Sequence, residues 1–175
     1  MSATPIELEI RQTWDGKPVE EAHWIRLTIS VQASILRIDV DAPLYGDPAP
    51  SSAPGPTDRL WEFEVVELFI CGTGSAYTEI ELGPHGHHLV LQLKDIRSPS
   101  KSLIPIDYAA QKLGARWRAS AQVPIGLLPD GPHRINATSI HGVGEKRTYL
   151  SLGVLPGPQP DFHQPSHFPV EASLT

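Results

Sequence analysis

Hydrophobic and polar residues alternate in short runs along most of the chain. Side chains in a β-strand point alternately to the two faces of a sheet, so this two-residue period predicts half-buried strands. Eighteen prolines and fourteen glycines separate the runs and leave little room for a long helix. The pattern predicts an all-β protein, an antiparallel β-sandwich with at most one or two short helices, of which Ile106–Leu113 is the candidate. The predicted strands are Ile6–Thr13, Trp24–Val31, Ser34–Val40, Trp61–Cys71, Tyr77–Leu82, His87–Leu93, Trp117–Val123, Ile135–Ile140 and Thr148–Leu152.

The length of 175 residues is typical of one domain, so we predict a single sandwich spanning residues 1–175. Two segments rich in proline interrupt the strand pattern. Pro43–Pro56 is predicted to be a long loop, because too little chain precedes it to fold alone. Residues 156–175 are predicted to form a tail that packs on the sandwich as ordered coil.

The composition of the chain argues against some classes of partner and indicates a cellular compartment. The formal net charge of −6 argues against nucleic acid or an anionic membrane as a partner. Cys71 is the only cysteine, so no internal disulfide forms and no oxidising compartment is needed. The first residues show neither a basic nor an apolar segment of the secretory type, and no run of 18 apolar residues is present. We expect a cytoplasmic protein; its oligomeric state is left open.

Three histidines flank a predicted type I turn at Gly83–Gly86, namely His85, His87 and His88. Folding the chain about this turn pairs Leu82 with His87 and Glu81 with His88. The hairpin then has a core face that carries Ile80, Leu82, Leu89, Leu91 and Leu93. Because His87 and His88 point to opposite faces, the histidines do not converge as zinc ligands must. We predict no metal site here.

Three carboxylates are predicted to share one face of neighbouring strands, those of Glu67, Glu79 and Glu81. In the strand that carries Glu67, alternation assigns to the core Val66, Leu68 and Ile70. Keeping the apolar sets together places Glu67 near Glu79, with Trp61 and Tyr77 on the same face. Like charges on adjacent strands destabilise a sheet, so the patch needs a partner. The candidates are Arg147, His88, a calcium ion or the hydroxyls of a ligand. The alternative is an acidic surface that is exposed to solvent and has no specific partner.

Several segments in this order carry a family resemblance: LWEFEVVELF, YTEIELGPHGHHLVL, INATSIHG, KRTYLSL and PDFHQPSHF. Together they resemble a family of DOMON-like proteins, with bacterial and animal members, related to the family 9 carbohydrate-binding modules. The resemblance implies a jelly-roll-like β-sandwich. In the family 9 modules two tryptophans hold the sugar while carboxylate and amide groups bind its hydroxyls. The resemblance implies that Trp61 stacks on the sugar ring and that Glu67 accepts hydrogen bonds from sugar hydroxyls. Tyr149 or Trp14 would then replace the second tryptophan.

Two functional classes remain. The first is a non-catalytic protein that binds a carbohydrate or similar polar small molecule on a concave sheet face. Its predicted ligand-binding residues are Trp61, Glu67, Tyr77, Glu79, Glu81, His88, His141 and Arg147. The alternative is a carboxylate-dependent hydrolase, such as a glycoside hydrolase with paired glutamates. It ranks lower because carboxylates on an open sheet lack an enclosed pocket.

No catalytic residue, metal ligand or cofactor is assigned, and structural calcium stays open. Haem held by methionine and histidine, as in DOMON relatives, is excluded because Met1 is the only methionine.

Overall fold

The computed structural model describes residues 4–174, and its strands form two sheets. Helical structure within these residues is confined to 3₁₀ turns at Glu21–His23, Leu60–Glu62, Ile125–Leu127, Gly144–Lys146 and Pro165–His167. The prediction of an all-β sandwich with little helix is therefore confirmed. The strands are β1 (Ile6–Ile10), β2 (Ile25–Gln32), β3 (Ile35–Pro43), β4 (Gly55–Pro56), β5 (Val65–Cys71), β6 (Tyr77–Leu82), β7 (His87–Asp95), β8 (Ser98–Lys101), β9 (Asp107–Leu113), β10 (Arg116–Pro124), β11 (His133–His141), β12 (Thr148–Ser151) and β13 (Val170–Ala172).

The five-stranded sheet has the order β1-β2-β3-β10-β9, and the eight-stranded sheet has the order β12-β11-β5-β6-β7-β4. In the second sheet β13 also pairs with β11, and β8 pairs with β7. The pairs are antiparallel except for the short parallel pair of β4 with β7. The described residues contain no helix long and apolar enough to cross a membrane.

The inner faces of both sheets share one hydrophobic core. Alternation along β5 sends Val66, Leu68 and Ile70 into this core, as predicted. Trp117 enters it from the five-stranded sheet and is 1% exposed. The inner core thus follows directly from the two-residue period of the strands.

A second apolar layer covers the outer face of the eight-stranded sheet. Every residue of β5 and β6 is buried, so the central strands are covered on both sides. Residues from the end of the chain supply part of the cover. The layer consists of Leu60, Val65, Phe69, Cys71, Tyr77, Leu89, Leu91, Leu93, Ile140, Leu155, Phe162 and Phe168.

The prediction of a helix at Ile106–Leu113 is wrong, because this segment forms strand β9. β9 pairs with β10 along its length, with Ala110 opposite Ala119. Tyr108 and Ala110 pack against the inner core. Pairing with a neighbouring strand overrides the weak helical preference of the segment.

The predicted register of the histidine hairpin is wrong by one residue. β6 and β7 pair with Leu82 opposite His88 and Glu81 opposite Leu89. The connecting loop is longer than a type I turn and is closed by a 2.9 Å bond from the Gly83 amide to the His87 carbonyl. His88 therefore lies on the inner face, where its ring packs against Tyr108, and not beside Glu81.

Candidate functional site

A cluster of three carboxyl groups lies on the outer face of the eight-stranded sheet. Glu67 of β5 is directly opposite Glu81 of β6, and Glu79 lies on the same face two residues before Glu81. Oxygen atoms of the three carboxyls lie within 4.8 Å of one another. The side chains are buried, with exposed fractions of 2%, 4% and 0% for Glu67, Glu79 and Glu81. The prediction that these carboxyls share one face is confirmed.

Few hydrogen-bond donors reach the glutamate cluster. Thr138 donates its hydroxyl to Oε2 of Glu67 over 2.8 Å. The backbone of Trp61 opposes the rise in the pKa of Glu81. Among the described residues, no donor group outside the cluster forms a hydrogen bond with either buried oxygen of Glu81.

Burial raises the pKa of every carboxyl in the cluster. It raises the pKa of Glu67 to about 8, with a further increase from the charge of Glu79. Burial also raises the pKa of Glu79 to about 7, whereas contact with the Glu81 carboxyl opposes this rise. The pKa of Glu81 rises well above the ordinary value because of burial and of both neighbours. The cluster therefore holds protons at neutral pH unless another positive charge replaces them.

The glutamate cluster lies at the floor of a cavity of about 430 Å³. Glu67 and Glu79 line it together with apolar residues of β7, β11 and β12, and the tail closes one side. The expectation that these carboxylates sit on an open sheet is wrong, because the tail covers one side of them and forms a partly open cavity over the sheet. Other lining residues include Trp61, Leu91, Leu93, Arg97, Ile140, Tyr149, Asp161, Phe162 and His163.

Trp61 presents its indole to this cavity from a 3₁₀ turn. The predicted strand Trp61–Cys71 begins only at Val65, so Trp61 is not a strand residue. Its neighbour Leu60 is 1% exposed and anchors the turn, whereas Trp61 is 39% exposed. The turn therefore holds a large aromatic surface at the mouth of the cavity.

Arg147 supports the Trp61 turn from behind. Its guanidinium donates to the carbonyls of Trp61, Phe63 and Gly142. Within the described residues it forms no ion pair with Glu67, although its charge opposes the rise in the pKa of Glu67. The prediction of Arg147 as the direct countercharge of the cluster is wrong, because its donors are used by backbone carbonyls.

A polar network joins the tail to the sheet beside the cavity. The Tyr77 hydroxyl accepts a 3.0 Å bond from the Arg97 amide and lies 2.7 Å from Nδ1 of His163. Burial lowers the pKa of His163 to about 4, so its ring is neutral at pH 7. Arg97 also pairs with Asp161 at 2.7 Å. Tyr77 thus positions the tail wall and lies behind the cavity surface.

Two other predicted residues lie outside the cavity. The ring of His141 stacks on that of Tyr45 with centroids 3.5 Å apart, and burial lowers its pKa to about 4. His88 faces the inner core. The structure brings together Trp61, Glu67, Glu79 and Glu81 but not these histidines.

Sequence reasoning missed several residues of the cavity wall. Arg97, Asp161 and His163 lie far from the glutamates in sequence, and no spacing links them. The PDFHQPSHF segment was noticeable as a motif, but only its role as a packed tail could be inferred. Tyr149 was named only as a substitute aromatic, and it does face the same cavity as Trp61.

Comparison with known structures shows the fold. A protein from Bacteroides uniformis ATCC 8492, named for an inferred carbohydrate-binding role, aligns with a TM-score of 0.69 at 13% identity, covering 94% of this chain and 84% of that one. A family 9 carbohydrate-binding module from Caldicellulosiruptor kristjanssonii, solved with cellotriose, aligns with a TM-score of 0.49 at 10% identity over 74% of this chain and 65% of that one. The second likeness is too low to carry an argument.

Sequence comparison identifies the family. No family model matches the chain. The mouse (Mus musculus) UPF0462 protein C4orf33 homolog is 37% identical over 173 residues, covering 93% of this chain and 89% of the relative. The human UPF0462 protein C4orf33 is 36% identical over 173 residues, covering 93% and 86%. Identity of this size along nearly the whole of both chains shows that the protein belongs to the UPF0462 family.

Proposed function

We propose that this protein binds a carbohydrate or a similar polyhydroxylated small molecule in the cavity on the outer face of the eight-stranded sheet. The observation that carries the proposal is the exposed indole of Trp61 at the mouth of a cavity whose floor holds buried carboxyls. Pyranose rings have apolar C–H faces that stack on indole and hydroxyls that bind carboxyl groups. The volume of about 430 Å³ lies in the range of small-molecule sites.

Two aromatic side chains are available to a ring in this cavity. Trp61 and Tyr149 both line it, on the 3₁₀ turn and on β12. Tyr149 therefore takes the place proposed for the second stacking tryptophan of the family 9 modules. The likeness to DOMON-like proteins is part of the same proposal and is supported by the sandwich fold.

The protonation state of the carboxyls at the floor of the cavity determines which hydrogen bonds they can form with a ligand. A protonated carboxyl donates one hydrogen bond and accepts others, whereas a carboxylate only accepts. With the raised pKa of Glu67, the floor can serve both the oxygen and the hydrogen of a ligand hydroxyl. A ligand lacking hydroxyls would leave these buried groups unpaired, which is costly.

A hydrolase is the second candidate, because buried carboxyls of raised pKa beside a cavity suit a general acid. The arrangement of the cluster favours binding instead. Glycosidases place their two carboxyls on either side of the scissile bond. Here the three carboxyls come from adjacent strands of one sheet and share one floor. Release of nitrophenol from aryl glycosides by the wild-type protein, lost in Glu67→Gln, would establish the hydrolase.

Trp61→Ala is expected to weaken saccharide binding about 10- to 100-fold, the loss of roughly 1.4–2.8 kcal/mol of stacking. The melting temperature should stay close to that of the wild type, because the indole is 39% exposed. Isothermal titration of the full chain with a panel of mono- and oligosaccharides measures both the wild-type affinity and its loss.

Trp24→Ala is the matched control for this variant. Trp24 is half-buried against Arg11 and does not line the cavity. Its replacement should leave saccharide affinity unchanged. If no member of the panel binds the wild type, or if both variants weaken binding equally, the proposed function is wrong.

A further inference from the structure

The glutamate cluster has the geometry of a cation site. One oxygen from each of Glu67, Glu79 and Glu81 lies within 4.8 Å of the others. Oxygen ligands of Ca²⁺ lie about 2.3–2.6 Å from the ion, so ligands of one ion are separated by up to about 5 Å. A single ion can therefore contact all three carboxyls.

An independent observation also points to an absent partner. Within the described residues Glu81 is 0% exposed, and neither of its oxygens has a hydrogen-bond partner outside the cluster. It lies directly opposite Glu67 in the strand register, where two like charges would repel. A buried carboxyl normally has a hydrogen-bond partner or a counterion, so Glu81 is suited to a ligand that contacts it inside the cluster.

The cationic side chains nearest the cluster are engaged elsewhere. Arg147 donates to the carbonyls of Trp61, Phe63 and Gly142, and Arg97 pairs with Asp161. Among the residues that the structure describes, no salt bridge reaches Glu67, Glu79 or Glu81. Protons or a bound metal ion are the remaining sources of neutralising charge.

We propose that Glu67, Glu79 and Glu81 bind one divalent cation that prefers oxygen ligands, as Ca²⁺ does. The donor set contains only carboxyl oxygens, which suit hard ions, whereas zinc sites are usually built from histidine and cysteine. Ca²⁺ takes 6–8 oxygen ligands, and three carboxylates supply between about three and six. Because Glu67 and Glu79 line the cavity, the remaining positions face its interior and are filled by water or by oxygens of a bound molecule.

This site does not depend on the identity of the cavity's organic ligand, so it is tested without any saccharide. The full chain is treated with a chelator, dialysed and titrated with CaCl₂ at pH 8 in a calorimeter. We expect one Ca²⁺ per chain and a higher melting temperature in its presence. Glu81→Gln, which keeps the shape of the side chain, should weaken Ca²⁺ binding at least 10-fold.

Glu171→Gln is the charge control, since Glu171 is exposed on β13 and outside the cluster. It should bind Ca²⁺ within 2-fold of the wild type. Absence of Ca²⁺ binding to the wild type at millimolar concentration overturns the proposal, and so does binding that survives Glu81→Gln unchanged. A site that selects Zn²⁺ over Ca²⁺ would overturn the assignment of the ion class. If Glu81→Gln does not fold, Ca²⁺ binding is measured on Glu67→Gln instead. The melting temperature of the wild type with and without Ca²⁺ then also tests whether the ion binds the folded protein.

Discussion

Raising the pH from 7 to 8.5 in the presence of a chelator is expected to lower the free energy of unfolding by about 3 to 4 kcal/mol. In the unfolded chain the cluster carboxyls lose their protons near pH 4.5. In the folded protein burial raises the pKa of Glu67 to about 8 and that of Glu81 well above its ordinary value. The folded state keeps protons that the unfolded state has lost. The contribution of these carboxyls to the free energy of unfolding is fully present below their pKa in the unfolded chain. It is lost as the pH rises through their pKa values in the folded protein.

The window of pH 7 to 8.5 isolates the glutamate cluster from other titrating groups. Burial lowers the pKa of His141 and of His163 to about 4, so their effect on stability ends once histidine is neutral in the unfolded chain, near pH 7. Burial also raises the pKa of the Cys71 thiol, which contributes only in the upper part of this window because unfolded cysteine ionises with a pKa of about 8.5. Each retained proton changes the unfolding free energy by about 1.4 kcal/mol per pH unit.

Urea unfolding at half-unit pH steps measures this slope. Glu81→Gln removes one proton-binding group and the repulsion on Glu67, so its slope should be much shallower than that of the wild type. Glu171→Gln should keep the wild-type slope, because Glu171 is exposed on β13. Equal stability of the wild type at pH 7 and 8.5 would show that the cluster is ionised or solvated at neutral pH. Millimolar Ca²⁺ should flatten the wild-type slope as well, because protons and the proposed cation compete for the same carboxyls.

The inner core and the shared face of the glutamates could be predicted because both depend only on alternation along a strand. β5 carries large apolar residues at alternate positions, and a shift by one residue would bury Glu67 between the sheets. The predicted register of the histidine hairpin was wrong for a related reason. In β7 both Leu89 and Val90 are buried, one on each face, so the hydrophobic pattern fits two registers equally well. Only the length of the loop after Leu82 distinguishes the two registers.

The cavity over the glutamates could not be predicted from local patterns. The cavity exists because tail residues about eighty positions after Glu79 pack over the sheet, and because Arg97 pairs with Asp161. Those contacts are long in sequence and have no periodic signal. Arg147 illustrates the same limit. Its charge made it the obvious partner for the glutamates, yet three backbone carbonyls, invisible in a sequence, use its donors.

Phe162→Ala is expected to lower the free energy of unfolding by about 3 to 5 kcal/mol, the usual cost of truncating a buried phenylalanine. Phe162 is 7% exposed and meets Phe69 and Tyr149 edge to face, at centroid distances of 6.4 and 6.0 Å. It is the tail residue that joins the outer apolar layer to the cavity wall. Val154→Ala is the control, because Val154 is 55% exposed and a surface change of this kind should cost less than about 0.5 kcal/mol.

The same variant also tests why the glutamate cluster retains its protons. Burial is the largest cause of the raised pKa of Glu67, Glu79 and Glu81, and the tail forms part of the wall of the cavity that Glu67 and Glu79 line. Opening the wall at Phe162 admits water to the floor of the cavity, so each pKa should fall toward its ordinary value. The stability of Phe162→Ala should therefore depend on pH between 7 and 8.5 less steeply than that of the wild type. A variant that loses 3 kcal/mol but keeps the full pH slope would show that the strands alone exclude water from the carboxyls, with the tail serving only as packing.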